Sequence, residues 1–295
     1  MSNLVFMAIP VICTVVPLAC VFGYLKREEI KDRRSPLVDD VLRLPGTSLA
    51  LELRDKGFDL LGFYFVSVGV PAMAMLMLLQ SWIDPEKVRL NFLAVVAILM
   101  ICFSVIWSGW KTWRCIQQIA ALRRGIEGEQ ATAQLLSPLL AQGWTMLHDL
   151  PFKRGNIDHV LVGPTGVYAV ETKYRSKRSS LKGKDGVIAE YDGEAIRFAG
   201  GAVEKLPVQQ AQAVASELSK FLRGRVGEEV PVVPVVALPG WYVKTTQRPS
   251  AGGAYVINPK NTALFTKRNA QLDETMRTRV VTALAELAVA PTNAK

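Results

Sequence analysis

Residues 156–173 read NIDHVLVGPTGVYAVETK and place three charged side chains inside two apolar strands. With Val162 opposite Val167 across a Gly163-Pro164-Thr165-Gly166 loop, the hairpin register sets Asp158 opposite Glu171. Directly opposed residues hold their Cβ atoms about 4.5–5.5 Å apart on one face. Lys173 lies two residues beyond Glu171 and points to that same face, because strand side chains alternate. Two carboxylates this close repel, and one is driven toward its protonated form unless a cation keeps both ionised. Mg²⁺ suits the task, since it takes oxygen ligands, commonly one or two carboxylates with water and phosphate oxygens completing the shell. Such an ion activates water and stabilises the leaving oxygen of a phosphodiester, and Lys173 is placed to hold that water or offset charge on the phosphate. The same residues also fit a buried Lys–Glu ion pair with Asp158 capping the turn, so geometry alone leaves both readings open. One residue of slip would turn Asp158 to the other face.

The flanking sequence shows what positions these residues. In GIEGEQATAQLLSPLLAQGW (125–144), Ile126, Ala133, Leu136 and Leu140 recur at helical spacing and Gly143 ends the pattern. TMLHDL reads as a short strand and Lys153 to Asn156 as a turn. After the hairpin comes a basic loop, RSKRSSLKGKDG, and then Asp192-Gly193 between VIAEY and EAIRF, a two-residue hairpin signal. VQQAQAVASELSKFL is an amphipathic helix. VPVVPVVAL is a buried strand whose Pro234 predicts an edge position or a bulge. GAYVI is a further strand, 270–289 a closing helix and 291–295 a loose tail. This order predicts an α/β fold with one central mixed sheet flanked by helices.

Three segments in this order and spacing, GIEGE (125–129), GNIDHVLVGPTGVYAVETK (155–173) and PVQQA (207–211), resemble the nuclease-related domain. That family is similar to the PD-(D/E)XK nuclease superfamily, with its restriction-endonuclease-like fold. The resemblance covers about 125–240. It implies that Asp158 and Glu171 bind Mg²⁺ or Mn²⁺, with the backbone carbonyl of Thr172 as a further ligand, and that Lys173 is the catalytic lysine. Glu129 matches the carboxylate of the first helix, which assists the metal or its water. Gln210 matches the glutamine near the site, although Leu206 stands where the family has Asn before Pro207. Glu127 faces away from Glu129 and reads as solvated surface, and His159, on the opposite sheet face from Asp158, reads as a core or hydrogen-bonded histidine.

Residues 1–110 have a different character. Three apolar runs, at about 4–25, 60–83 and 91–110, reach the ~20 residues a membrane-crossing helix needs. Trp82, Trp107, Trp110 and Trp113 lie near run ends, where interfacial aromatics belong. The first run lacks a basic leader and is followed by KREEIKDRR, which favours an uncleaved anchor over a signal peptide. The loop at 26–59 is rich in Lys and Arg and the N-terminal tail has none, so the positive-inside rule predicts N-terminus outside and the C-terminal domain cytoplasmic. The expected organisation is a three-span anchor with a cytoplasmic loop at 26–59, a helical linker at 111–124 and a nuclease-related domain at 125–290. A multi-pass protein of a bacterial inner membrane, in contact with the bilayer and open to a membrane protein complex, fits that organisation.

Charge separates the two halves. Residues 1–110 carry 10 Lys and Arg against 10 Asp and Glu, whereas 111–295 carry 25 against 16, the source of the formal +9. A basic C-terminal domain favours a polyanion, and Arg175, Lys177, Arg178, Lys182 and Lys184 are the candidates for neutralising nucleic-acid phosphates. The 4 cysteines have no paired spacing and the 2 histidines exclude a histidine-rich metal centre. The leading expectation is a membrane-anchored, metal-dependent nuclease acting on DNA; the alternative is a non-catalytic nucleic-acid-binding or scaffolding module.

Overall fold

The computed structural model describes residues 42–81, 92–152, 155–177, 184–269 and 272–289. The chain divides into one unit of residues 1–36, 53–121 and 293–295 and a second of residues 37–52 and 122–292.

The described part of the first unit comes from two long helices, α1 (Thr47–Ser81) and α2 (Phe92–Leu136). The Phe63 and Trp107 rings meet edge to face at 6.2 Å, and the Cys115 thiol donates to the Lys56 carbonyl at 3.3 Å. Leu61, Tyr64, Val68, Leu99, Phe103, Ile106 and Trp113 are exposed. Among the described residues no helix is long and apolar enough to cross a membrane. The apolar run at 4–25 lies outside the described residues, as do residues 82–91 and several side chains of the other two runs.

Helix α2 departs from expectation by running unbroken through Gly125 and Gly128 to Leu136. Each glycine costs a helix interior about 1 kcal/mol relative to alanine. Close packing explains Gly128, where a Cβ would lie 2.7 Å from the Tyr174 Cβ; at Gly125 the only near atom is the movable Leu49 Cδ1, at 2.8 Å. The helix then tightens into a 3-10 turn (Ser137–Gln142), capped by Gly143 at φ 77°.

The second unit is built on a five-stranded sheet ordered β1-β2-β3-β7-β9, comprising β1 (Thr145–Leu150), β2 (Ile157–Gly163), β3 (Gly166–Thr172), β7 (Val232–Ala237) and β9 (Tyr255–Ile257). β1, β2 and β3 are antiparallel neighbours, whereas β3, β7 and β9 run parallel. Val162 pairs with Val167 as expected, but pairing continues to Gly163 and Gly166, so only Pro164 and Thr165 turn the hairpin. Alternation sorts the side chains to two faces. Val160, Val162, Val167 and Ala169 pack under α3 (Leu206–Val226) and α5 (Glu274–Ala288) through Leu218, Leu222, Val280 and Leu284. Leu161, Tyr168, Val170 and Val235 pack on the other face against Leu136, Leu139, Trp144 and Phe265, the last from α4 (Ala263–Thr266).

Two further expectations need correction. The strand-like runs after β3 do not join the central sheet. They form a second sheet ordered β6-β5-β4-β8, from β4 (Ile188–Tyr191), β5 (Ile196–Phe198), β6 (Val203–Glu204) and β8 (Tyr242–Thr245). Asp192-Gly193 is not a two-residue turn, because Tyr191 pairs with Ile196 and Asp192 Oδ1 accepts from the Glu194 and Ala195 amides at 3.0 and 2.8 Å. Pro234 lies neither on an edge strand nor at a bulge, since β7 is internal and Pro234 pairs in register with Ala169. Pairing with β9 begins only at Val235, so the residue lacking an N–H sits where the strand has a neighbour on one side. The interior of the second sheet, Tyr191, Ile196, Phe198 and Trp241, shares a core with Val208 and Ala211 of α3.

Candidate active site

Asp158 is the second residue of β2 and Glu171 the sixth of β3, and both are half-buried on the face that α3 covers. Ladder pairing lapses after His159 and Val170. The Thr172 amide instead donates to Asp158 Oδ2 at 2.6 Å, turning that carboxylate toward β3. Pro207 opens α3, where a missing N–H costs nothing, and Gln210 follows in its first turns. Gln210 Nε2 donates to Glu171 Oε1 at 2.6 Å. Glu129 projects from α2 and is buried, at 6% exposure.

The three acids are short of positive charge. Burial, then Asp158 and Asp149, raises Glu129 to about 8, against the opposing Gly46 amide bond. Burial, then Glu171, lifts Asp158 well above the usual carboxylate range, while the Thr172 amide pulls it down. Glu171 rises to about 7 through burial and the charge of Glu129, offset by Lys173. Among the described residues no hydrogen-bond partner reaches the buried Glu129 Oε2, Glu171 Oε2, Thr132 Oγ1 or Thr172 Oγ1. Orphaned buried oxygens are rare because desolvation without a partner costs about 1–3 kcal/mol each. Oxygen-only donors with unmet demand fit a hard cation. Among the described residues no group of three or more His, Cys, Asp or Glu is arranged to hold a metal ion.

The other expected residues are placed as follows. The Lys173 amide donates to the Ala237 carbonyl at 2.9 Å, anchoring the end of β3 to β7, and its side chain is half-buried. Thr172 meets Asp158 through its amide. Arg175 is engaged, paired with Glu204 and lying over the Phe198 ring at 4.8 Å. Lys177 lies over Trp241 at 5.9 Å. Arg178, Lys182 and the side chain of Lys184 fall outside the described residues. Glu127 is exposed. His159 is fully buried and shares a 2.8 Å Nδ1···Nδ1 contact with His148, its partner across β1 and β2.

Sequence reasoning missed Asp149. It sits in β1 between Leu147 and Leu150, which pair with Val160 and Ile157, so the β1–β2 register sets it beside Asp158. Its φ of 52° is left-handed, a conformation Asp tolerates better than most residues, and the carboxylate turns to meet a buried cluster. Arg43 Nη1 donates to Oδ2 at 2.9 Å, Ser48 donates through its amide at 3.0 Å and its hydroxyl at 2.6 Å, and Asn156 Nδ2 donates at 2.9 Å. The Arg43 amide also donates to the Ala288 carbonyl at 2.7 Å, and Leu42 bridges to Val289. The available signal was an acid inside the apolar strand TMLHDL. Nothing local points to Arg43, 106 residues away.

The fold and site define a mixed α/β domain with a buried acidic centre near the carboxyl ends of β3 and β7. Residues 124–239 match the family model described as the nuclease-related domain, a stretch that runs from the end of α2 past β7. No curated protein and no solved structure matches the chain.

Proposed function

We propose that the second unit hydrolyses phosphodiester bonds of nucleic acid, DNA foremost, with Mg²⁺ or Mn²⁺ and in the manner of PD-(D/E)XK nucleases. The observation that carries this reading is the convergence of Asp158, Glu171 and Gln210 from three separate elements, with carboxylate oxygens left unpartnered. When bound, the ion would supply charge neutralisation and water activation. The chain's own groups do the rest. The Thr172 amide fixes Asp158 and Gln210 fixes Glu171, so one oxygen of each carboxylate is committed and the other stays available. The Thr172 carbonyl is a further donor by analogy with the family. Lys173 orients the attacking water or offsets charge on the phosphate. Glu129, buried beside Asp158, is the carboxylate proposed to assist the metal or its water. Lys177, Arg178, Lys182 and Lys184 are the residues proposed to meet phosphates.

The same reading places the enzyme on a membrane, with the nuclease domain on the cytoplasmic side of a bacterial inner membrane and within reach of a membrane complex. Its support is the apolar runs of the sequence and the exposed Tyr64, Val68, Leu99, Phe103, Ile106 and Trp113 on α1 and α2. The deciding experiment incubates the full chain in detergent with plasmid, linear duplex, single-stranded DNA and RNA, with Mg²⁺, Mn²⁺ or EDTA. Cleavage that needs metal and vanishes in Lys173→Ala and Glu171→Ala is expected. Undiminished cleavage by either variant overturns the catalytic assignment, and salt-sensitive binding without cleavage assigns a binding module instead.

A further inference from the structure

A cleft of about 420 Å³ is lined by β8, β9 and the turn after β9, including Tyr242, Thr245, Tyr255, Asn258, Lys260 and Asn261. β8 and β9 are the edge strands of their respective sheets. No aspartate or glutamate is among the described residues lining the cleft. Tyr242 is 65% exposed and presents its ring to the cleft. The residue before it, Trp241, is buried and doubly tied: its indole N–H donates to the Arg175 carbonyl at 3.0 Å, and its carbonyl accepts from Asn258 Nδ2 at 2.7 Å. The exposed ring therefore stands on a fixed base. Tyr255, on the facing wall, has the Arg268 guanidinium over its ring at 5.9 Å.

The cleft and the carboxylates lie at the same edge of the central sheet. Thr172 pairs with Ala237, and Ala237 with Ile257, which lines the cleft. Two strand spacings of about 4.8 Å separate the backbones at Thr172 and Ile257, roughly 10 Å in all. Open α/β sheets place ligands outside the carboxyl ends of their parallel strands, and both features sit there. On the chain that follows Glu171, Arg175 lies over Phe198 and is paired with Glu204, and Lys177 lies over Trp241, the residue before Tyr242.

We propose that this cleft takes an unpaired nucleotide of the strand presented to Asp158 and Glu171, so that the substrate is single-stranded nucleic acid or the unpaired arm of a junction. This rests on the nuclease reading above and names its substrate class. A base in a duplex has both faces covered by its neighbours, whereas an unpaired base offers a face to Tyr242. Stacking on an aromatic side chain is the sequence-tolerant way such bases are held. Lys260 meets the accompanying phosphate, and the acid-free lining adds no repulsion.

The test measures binding apart from cleavage. Fluorescence anisotropy of the full chain in EDTA is recorded with a labelled oligo-dT and with a duplex of equal length. The single strand should bind more tightly, Tyr242→Ala should weaken that binding about 5- to 150-fold, and Tyr242→Phe should restore most of it. Lys260→Ala should weaken binding and flatten its salt dependence. Unchanged melting temperatures show that the variants are folded. Oligo-dT binding by Tyr242→Ala equal to wild type, or duplex bound as tightly as single strand, overturns this inference while leaving the nuclease reading intact. A chain that binds neither form in EDTA overturns this inference, and one that also fails to cleave any nucleic acid with Mg²⁺ or Mn²⁺ overturns both.

Discussion

Arg43→Ala should destabilise the second unit by removing the guanidinium that pairs with Asp149. The two side chains are 13% and 4% exposed and meet at 2.9 Å, so the pair is out of water. Removing one partner of a buried pair typically costs about 3–5 kcal/mol, because the charge left behind has lost its compensation. Ser48 and Asn156 keep three donors on the Asp149 carboxylate, which puts the expected cost near the low end, about 3 kcal/mol. In a domain of this size each kcal/mol moves the midpoint by about 2–4 °C, so Tm should fall by roughly 6–12 °C. The assay is thermal unfolding of the full chain with Arg43→Ala, Asp149→Asn and the double variant. The cycle should show strong coupling, with the double variant less destabilised than the single effects added together. A drop under about 3 °C in Arg43→Ala, or strict additivity, would refute the claim that residue 43 holds Asp149 in place.

The remaining expectations concern protons and the metal. His159 titrates near 3 in the folded chain, lowered by burial and then His148. Unfolded, it takes up a proton far more readily, so its contribution is complete above about 6.5 and is lost as pH falls toward 3. Urea midpoints should decline across that window, and a large isosteric replacement such as His159→Phe should flatten the decline. Glu129 runs the other way: its folded value of about 8 means its contribution is complete below about 4.3 and is lost as pH rises through 8. In EDTA the wild type should therefore melt lower at pH 9 than at pH 6, with the difference reduced in Glu129→Gln and on adding Mg²⁺. Gln210→Ala frees Glu171 Oε1 and should weaken Mn²⁺ binding about 10- to 100-fold, read by electron paramagnetic resonance; an unchanged affinity would remove Gln210 from the site.

The residues show why some of this was legible in sequence. The Val162–Val167 register could be read because period-2 alternation and one short turn leave little freedom, even though the turn proved tighter than expected. Glu129 and Gln210 were reachable only through the family resemblance, since no spacing rule relates a helix at 129 to a strand at 171. The continuity of α2 across residue 125 was not legible, and only Tyr174 in place reveals why residue 128 has no side chain. The second sheet was illegible because β6 has 2 residues and β5 has 3, too few to display a period. Asp149 depends on a left-handed backbone and an arginine far along the chain, and neither leaves a local trace.

The four-stranded sheet arises from two excursions, one leaving β3 and the other leaving β7. Asp158 and Glu171, proposed to hold the metal, and Tyr242, proposed to stack on the substrate, thus occupy pieces that insertion and deletion can alter separately. A lineage could rewrite β4, β5, β6 and β8 and acquire a new substrate while the five-stranded sheet stayed as it is. The independence is incomplete, because Val208 and Ala211 of α3 are buried in the core of that second sheet and Gln210, the partner of Glu171, lies between them. Drift in the four-stranded layer would reach the carboxylates through that one turn of helix.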